Sequence, residues 1–200
     1  MAVISDTEND RYLFSKVEAG WSEGTAIFPS RIIAKLDNSR YSHCYWKFTL
    51  KNGMIFIYES HFNGGVQITP YAHLLQAQIS GRVGAIEECL VVCNPDALWN
   101  ECIKYHGSEY NVEQIIRYYI WIKYFKRRGQ VFKPFVNGKF TCNELMIATG
   151  KAAVPVMKEL DYSSTPEALY RFFMGHPSKT KRGNKHDYSD HSAYTKCLQY

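Results

Sequence analysis

Nowhere in the 200-residue chain do ~18 apolar residues run together, the length a helix needs to cross a bilayer, so no membrane-spanning helix is expected. The opening stretch MAVISDTENDRYLFSK is acidic and polar. It lacks the basic start and apolar run that export needs, which predicts a cytoplasmic protein. Cysteine occurs at positions 44, 89, 93, 102, 142 and 197 without the regular spacing of a disulfide framework, so reduced thiols are expected. Internal repeats are absent, and charge of one sign is not concentrated. The formal net charge is +5, and the basic clusters are Lys123, Lys126, Arg127 and Arg128 and the C-terminal stretch. A bias of that size points only weakly to acidic partners, and nucleic-acid binding is not expected from it.

What is present suits one folded domain. Apolar residues make up 46% of the chain, enough to build a single core at this length. The composition changes near Gly175, beyond which HPSKTKRGNKHDYSDHSAYTK is almost wholly polar. The domain is therefore expected over residues 1–175, followed by a flexible tail over 176–200. Within the domain, 31–36 (RIIAKL) reads as a short helix or an irregular connection. Tyr45 to Leu50 and Met54 to Ser60 read as a hairpin around Lys51-Asn52-Gly53, with Gly53 supplying the positive φ of a three-residue loop. Val83 to Val92 reads as a further strand. Helices are expected from Pro95 to Tyr105, from Val112 to Phe125 (apolar on more than one face and so well buried), from Thr141, and from Pro166. The class is α+β, an antiparallel sheet or half-barrel packed against helices.

The hairpin register decides which side chains share a face. If Leu50 pairs with Met54, Phe48 faces Phe56 and Trp46 faces Tyr58, forming one apolar face. The other face then receives His43, Tyr45, Lys47 and Thr49 with Ile55, Ile57, Glu59 and His61, because strand side chains alternate. This gathers His43, Glu59 and His61. A carboxylate or second imidazole beside a histidine can fix its tautomer and stabilise its cation.

A second cluster of interest is Phe140-Thr141-Cys142-Asn143-Glu144-Leu145. Thr141 followed three residues later by Glu144 is a capping-box pattern, with Thr141 as the N-cap. Cys142 then takes the first helical position, where unpaired N–H groups and the positive end of the helix dipole favour a thiolate. The same donors could hold an oxyanion. Taken singly, a cysteine at a helix start, a histidine at a strand end and a glutamate at another have bland readings: buried packing, a satisfied imidazole and a solvated terminus.

Read together, the motifs carry a resemblance. Ser30-Arg31-Ile32-Ile33, Asn38-Ser39-Arg40-Tyr41-Ser42-His43, Tyr58-Glu59-Ser60 and Gly64-Gly65-Val66-Gln67-Ile68 are followed by Gly107-Ser108-Glu109-Tyr110-Asn111 and Thr141-Cys142-Asn143-Glu144-Leu145. In order and spacing, from about residue 30 to residue 147, this series resembles the circularly permuted NlpC/P60 and papain-like families, in particular the YiiX-like group. The resemblance implies a permuted papain-like fold in which the histidine strand precedes the nucleophile helix. It implies Cys142 as nucleophile, His43 as general base and Glu59 as the orienting third member, with His61 the competitor for that third place. No cofactor and no metal are expected. The expected reaction is hydrolysis of a peptide, isopeptide or related amide bond through a thioester. The chain departs from the family pattern at Cys44, where a small aliphatic residue is usual, and at Asn143, where Ser is common.

Other readings stay open at this point. An amine or alcohol acceptor in place of water would make an acyltransferase, as in lecithin-retinol acyltransferase-like relatives. A metal site from His43, Cys44, His61 and Cys89 or Cys93 lacks the paired close spacings of a zinc module. A binding protein without catalysis could use the same fold. Tyr41, Tyr110 and Trp21 are candidate cleft aromatics. The state of assembly is open.

Overall fold

A computed structural model of the chain describes residues 13–24, 34, 39–125, 132–133, 137–162 and 164–175. The expected tail, most of the 31–36 segment and the basic residues 126–128 lie outside the described residues.

Five strands form one antiparallel sheet, built from β1 (Phe14–Gly24), β2 (His43–Leu50), β3 (Ile55–His61), β4 (Gly65–Pro70) and β5 (Val83–Leu90) in the order β4-β3-β2-β1-β5. The hairpin has the expected register, Trp46 opposite Tyr58 and Phe48 opposite Phe56. Its loop closes with Gly53 at φ 84° and Leu50 N–H donating to the Met54 carbonyl at 2.9 Å. β1 was not expected as a strand. It runs beside β2 from Phe14 opposite Leu50 to Ser22 opposite His43, and beside β5 from Glu18 opposite Leu90.

Among the described residues, the helices seen in full are α1 (Tyr71–Ile79), α2 (Pro95–Ile103), α3 (Val112–Tyr124), α4 (Cys142–Ala153) and α5 (Pro166–Phe173), with a 3₁₀ turn at Pro155–Met157. The main core lies on the sheet face that carries Val17, Ala19, Trp21, Cys44, Trp46, Phe48 and Tyr58, and α2, α4 and α5 close it with Leu98, Cys102, Leu145, Met146 and Leu169. Trp99 of α2 sets its edge against Phe48 and Phe56, whose rings stack 5.7 Å apart. α4 comes close to β2 because Gly150 has no side chain. A Cβ there would meet Met157 Sδ at 2.3 Å and Trp46 Cζ2 at 3.2 Å. Next to it, Trp46 Nε1 donates to Thr149 Oγ1 at 2.8 Å, so the indole is satisfied in the core.

The opposite face has a smaller apolar cluster of Tyr45, Ile57 and Leu74, with Tyr71, Val83 and Ile86 against it. Here Lys47 is buried and its charge is paired with Glu18 at 3.1 Å and with Glu88, while Tyr45 donates to Glu88 at 2.8 Å. Burying a lone ammonium would be costly, and the two carboxylates offset that cost.

Three expectations need correction. α3 is not well buried: Gln114 is its one buried residue, and Ile116 and Tyr124 are each 54% exposed. Its aromatic residues Tyr118 and Trp121 instead stack on one another, with Phe132 edge-on to Tyr118 and tilted against Trp121. Trp21 and Tyr41 are core residues rather than cleft aromatics, packed on Tyr170 and Phe173 of α5. β4 and α1, the latter leading from the β4 edge of the sheet to the β5 edge, were unexpected.

Candidate active site

The capping pattern read from Thr141 and Glu144 forms in full. Thr141 N–H donates to Glu144 Oε2 at 2.9 Å, and the Glu144 N–H returns to Thr141 Oγ1 at 3.4 Å. Buried Asn111 adds its side-chain amide to Glu144 at 3.4 Å and accepts from Gln114 N–H at 3.1 Å, so one residue caps α3 and braces α4. The approach to α4 is anchored to the sheet, since Ser60 Oγ donates to the Phe140 carbonyl at 2.6 Å. Phe140 also bridges to Tyr110 in a parallel pairing. Asn143 is turned away from the sheet and donates to the Ser164 carbonyl at 2.8 Å.

These anchors carry Cys142, the first residue of α4, to the start of β2. Its Sγ is 4.0 Å from the Ser42 carbonyl, and His43 and Cys44 are the neighbours that act on its charge. His43 Nε2 meets Glu59 Oε2 at 2.7 Å, which leaves Nδ1 for the sulfur. The other carboxylate oxygen, Oε1, accepts from Thr69 Oγ1 at 2.9 Å and from Gln67 Nε2 at 3.3 Å. Glu59 thus has both oxygens engaged in a buried setting.

The electrostatics follow from these contacts. The Cys44 thiol is the strongest influence holding the Cys142 pKa well below its ordinary value, and the His43 hydrogen bond and charge add to it against the opposing effect of burial. Burial alone would lower the His43 pKa. Hydrogen bonds and charges from Cys142 and Glu59 outweigh it and raise the value to about 10. Burial likewise works against ionised Glu59, yet His43 and Thr69 bring its pKa down to about 2. A thiolate, an imidazolium and a carboxylate are therefore mutually stabilised in series.

Of the sequence-predicted residues, Cys142, His43 and Glu59 come together. His61 stands at the exposed end of β3 with its ring edge-on to His43 at 6.5 Å, and its Nδ1 accepts from Asn63 N–H at 3.4 Å. Tyr110 is close enough to feel the charge of Cys142, and burial, with that charge, keeps its phenol protonated. Cys44, marked in the sequence as a departure and as a candidate metal ligand, acts directly on the sulfur. Gln67 and Thr69 were missed; their signal is the two-residue alternation along β4, which puts both on the Glu59 side of the sheet once Glu59 is paired with Gln67. Among the described residues, no group of three or more His, Cys, Asp or Glu side chains could hold a metal ion, and no helix is long and apolar enough to cross a membrane.

No family model matches the chain, and no curated protein matches it.

Proposed function

We propose that this protein is a cysteine hydrolase of the circularly permuted papain-like type, cleaving a peptide, isopeptide or related amide bond. The observation that carries the reading is the convergence of Cys142, at a capped helix start, with the His43–Glu59 pair joined at 2.7 Å. In this mechanism the Cys142 thiolate attacks the carbonyl carbon, and the Cys142 N–H at the helix start donates to the developing oxyanion. His43, cationic in the resting pair, gives its proton to the leaving amine. It then takes one from the water that resolves the thioester. Glu59 holds the imidazole through Nε2 and balances its charge, so that Nδ1 stays directed at the sulfur.

The test is alkylation with iodoacetamide at neutral pH and peptide mass spectrometry of the adduct. Cys142 is expected to react first among the six cysteines, and His43→Ala to slow it by about tenfold or more. Uniform labelling, or a rate indifferent to His43, would sink the proposal. Screening amide substrates with and without added amines then separates hydrolysis from acyl transfer, because an amine-derived product appears only if an amine can replace water.

A further inference from the structure

Cys44 has no task in the mechanism above, yet its position is specific. It follows His43 on β2 and, by strand alternation, turns to the opposite face, into the same core that holds Cys142. It is 0% exposed and Cys142 3%. The two thiols lie close enough to shift one another's titration, and Cys142 Sγ lies 4.0 Å from the carbonyl of Ser42, two residues before Cys44. Two neighbouring sulfurs need only close to about 2.05 Å to be bonded.

We propose that Cys44 and Cys142 are a modification site, joined by a disulfide when a peroxide reaches Cys142, which switches the nucleophile off reversibly. The effect on activity rests on the hydrolase reading, whereas the linkage itself does not. In the first step the Cys142 sulfur attacks a peroxide oxygen and the O–O bond breaks. A sulfenic acid forms on Cys142, and the leaving hydroxide takes the His43 proton and departs as water. In the second step the Cys44 sulfur attacks the sulfenyl sulfur and the S–O bond breaks. The Cys44 proton passes to the leaving oxygen, and a second water departs. The two thiols together lose two electrons, and the peroxide gains them. Burial holds the Cys44 thiol protonated at neutral pH, so it does not compete for outside electrophiles and acts only on its neighbour. Cys44 thereby intercepts the sulfenic acid before a second peroxide can carry it to the irreversible sulfinic state.

The experiment treats the reduced full-length chain with a small excess of hydrogen peroxide at neutral pH, followed by iodoacetamide and mass spectrometry. The expected result is a loss of about 2 Da, a cross-linked peptide joining Cys44 to Cys142, and about tenfold less Cys142 alkylation, recovered with dithiothreitol. In Cys44→Ser, and in Cys44→Ala as a second variant should the first fold poorly, Cys142 should instead gain about 32 Da and stay unreactive after reduction. Wild-type protein that gains oxygen on Cys142 without the cross-linked peptide overturns the inference, as does a disulfide to any other cysteine. Failure of Cys142 to alkylate first in untreated, reduced protein counts against the hydrolase reading instead, so the two failures are separable.

Discussion

Glu59 uses its two oxygens for different tasks, and that division sets what substitutions there should do. Oε2 serves His43, while Thr69 and Gln67 hold Oε1 and so fix the plane of the carboxylate. Glu59→Gln removes the charge that balances the imidazolium and should slow Cys142 alkylation by roughly tenfold or more near pH 6, whereas His61→Asn should change it less than about threefold. Thr69→Val keeps the shape but removes the donor, and an intermediate loss is expected. The pH dependence has a definite sign. His43, raised to about 10, stays cationic until pH rises through that value, and Cys142 stays a thiolate until pH falls below its lowered pKa. The alkylation rate should therefore rise less steeply from about pH 6 to about pH 9 than that of an ordinary thiol, which climbs about tenfold per unit through most of the range. The same shifts bear on folding. The His43 contribution is complete below its ordinary value of 6.5 and is lost as pH rises through about 10. The Glu59 contribution is present above its ordinary 4.5 and is lost as pH falls toward about 2.

At the level of elements, the start of α4 is where local sequence and chemistry coincide. Thr141→Ala removes one arm of the capping box and should cost about 1 kcal/mol in denaturant unfolding. It should also lower Cys142 reactivity, because the N–H groups at that helix end lose their order. This element was legible because a cap depends on residues three apart, just as the hairpin was legible because a turn of Lys51-Asn52-Gly53 fixes its own register. β1 was not. Val17, Ala19 and Trp21 do alternate with Lys16, Glu18 and Gly20, but Ala19 and Gly20 have low strand preference, and the partners that stabilise the strand lie far along the chain in β2 and β5. α3 misled for a different reason. Apolar residues around most of a helix normally signal burial, but here Tyr118 and Trp121 satisfy one side by packing with Phe132, and Ile116 and Tyr124 remain outside. For the candidate site the division is similar: Cys142 and its cap could be read locally, and the His43–Glu59 approach followed from hairpin register. Gln67, Thr69 and the Cys44 contact depend on pairings between separate elements.

For the molecule as a whole, the sheet separates a large apolar layer closed by α2, α4 and α5 from a smaller one that shelters the paired Lys47. Stability should be unevenly distributed as a result. Amide hydrogen exchange is expected to be slowest in β2 and α4 and much faster in α3, whose amides open without disturbing the main core. Comparable protection across α3 and α4 would contradict this division. The meeting of Cys142 with Ser42 and His43 spans 100 positions between Ser42 and Cys142, and this gives the chemistry an order in time. During synthesis His43 and Glu59 emerge first, on strands that pair early through a short turn. The sulfur arrives last, on a helix that must dock across an already formed sheet. Contacts of such long sequence separation are paid for in loop-closure entropy and form late. A partly made chain therefore carries His43 and Glu59 but no activated thiol. Cys142 meets His43 only when the far end of the domain closes over the near one, so a growing chain holds the thiol apart from the imidazole until it has folded.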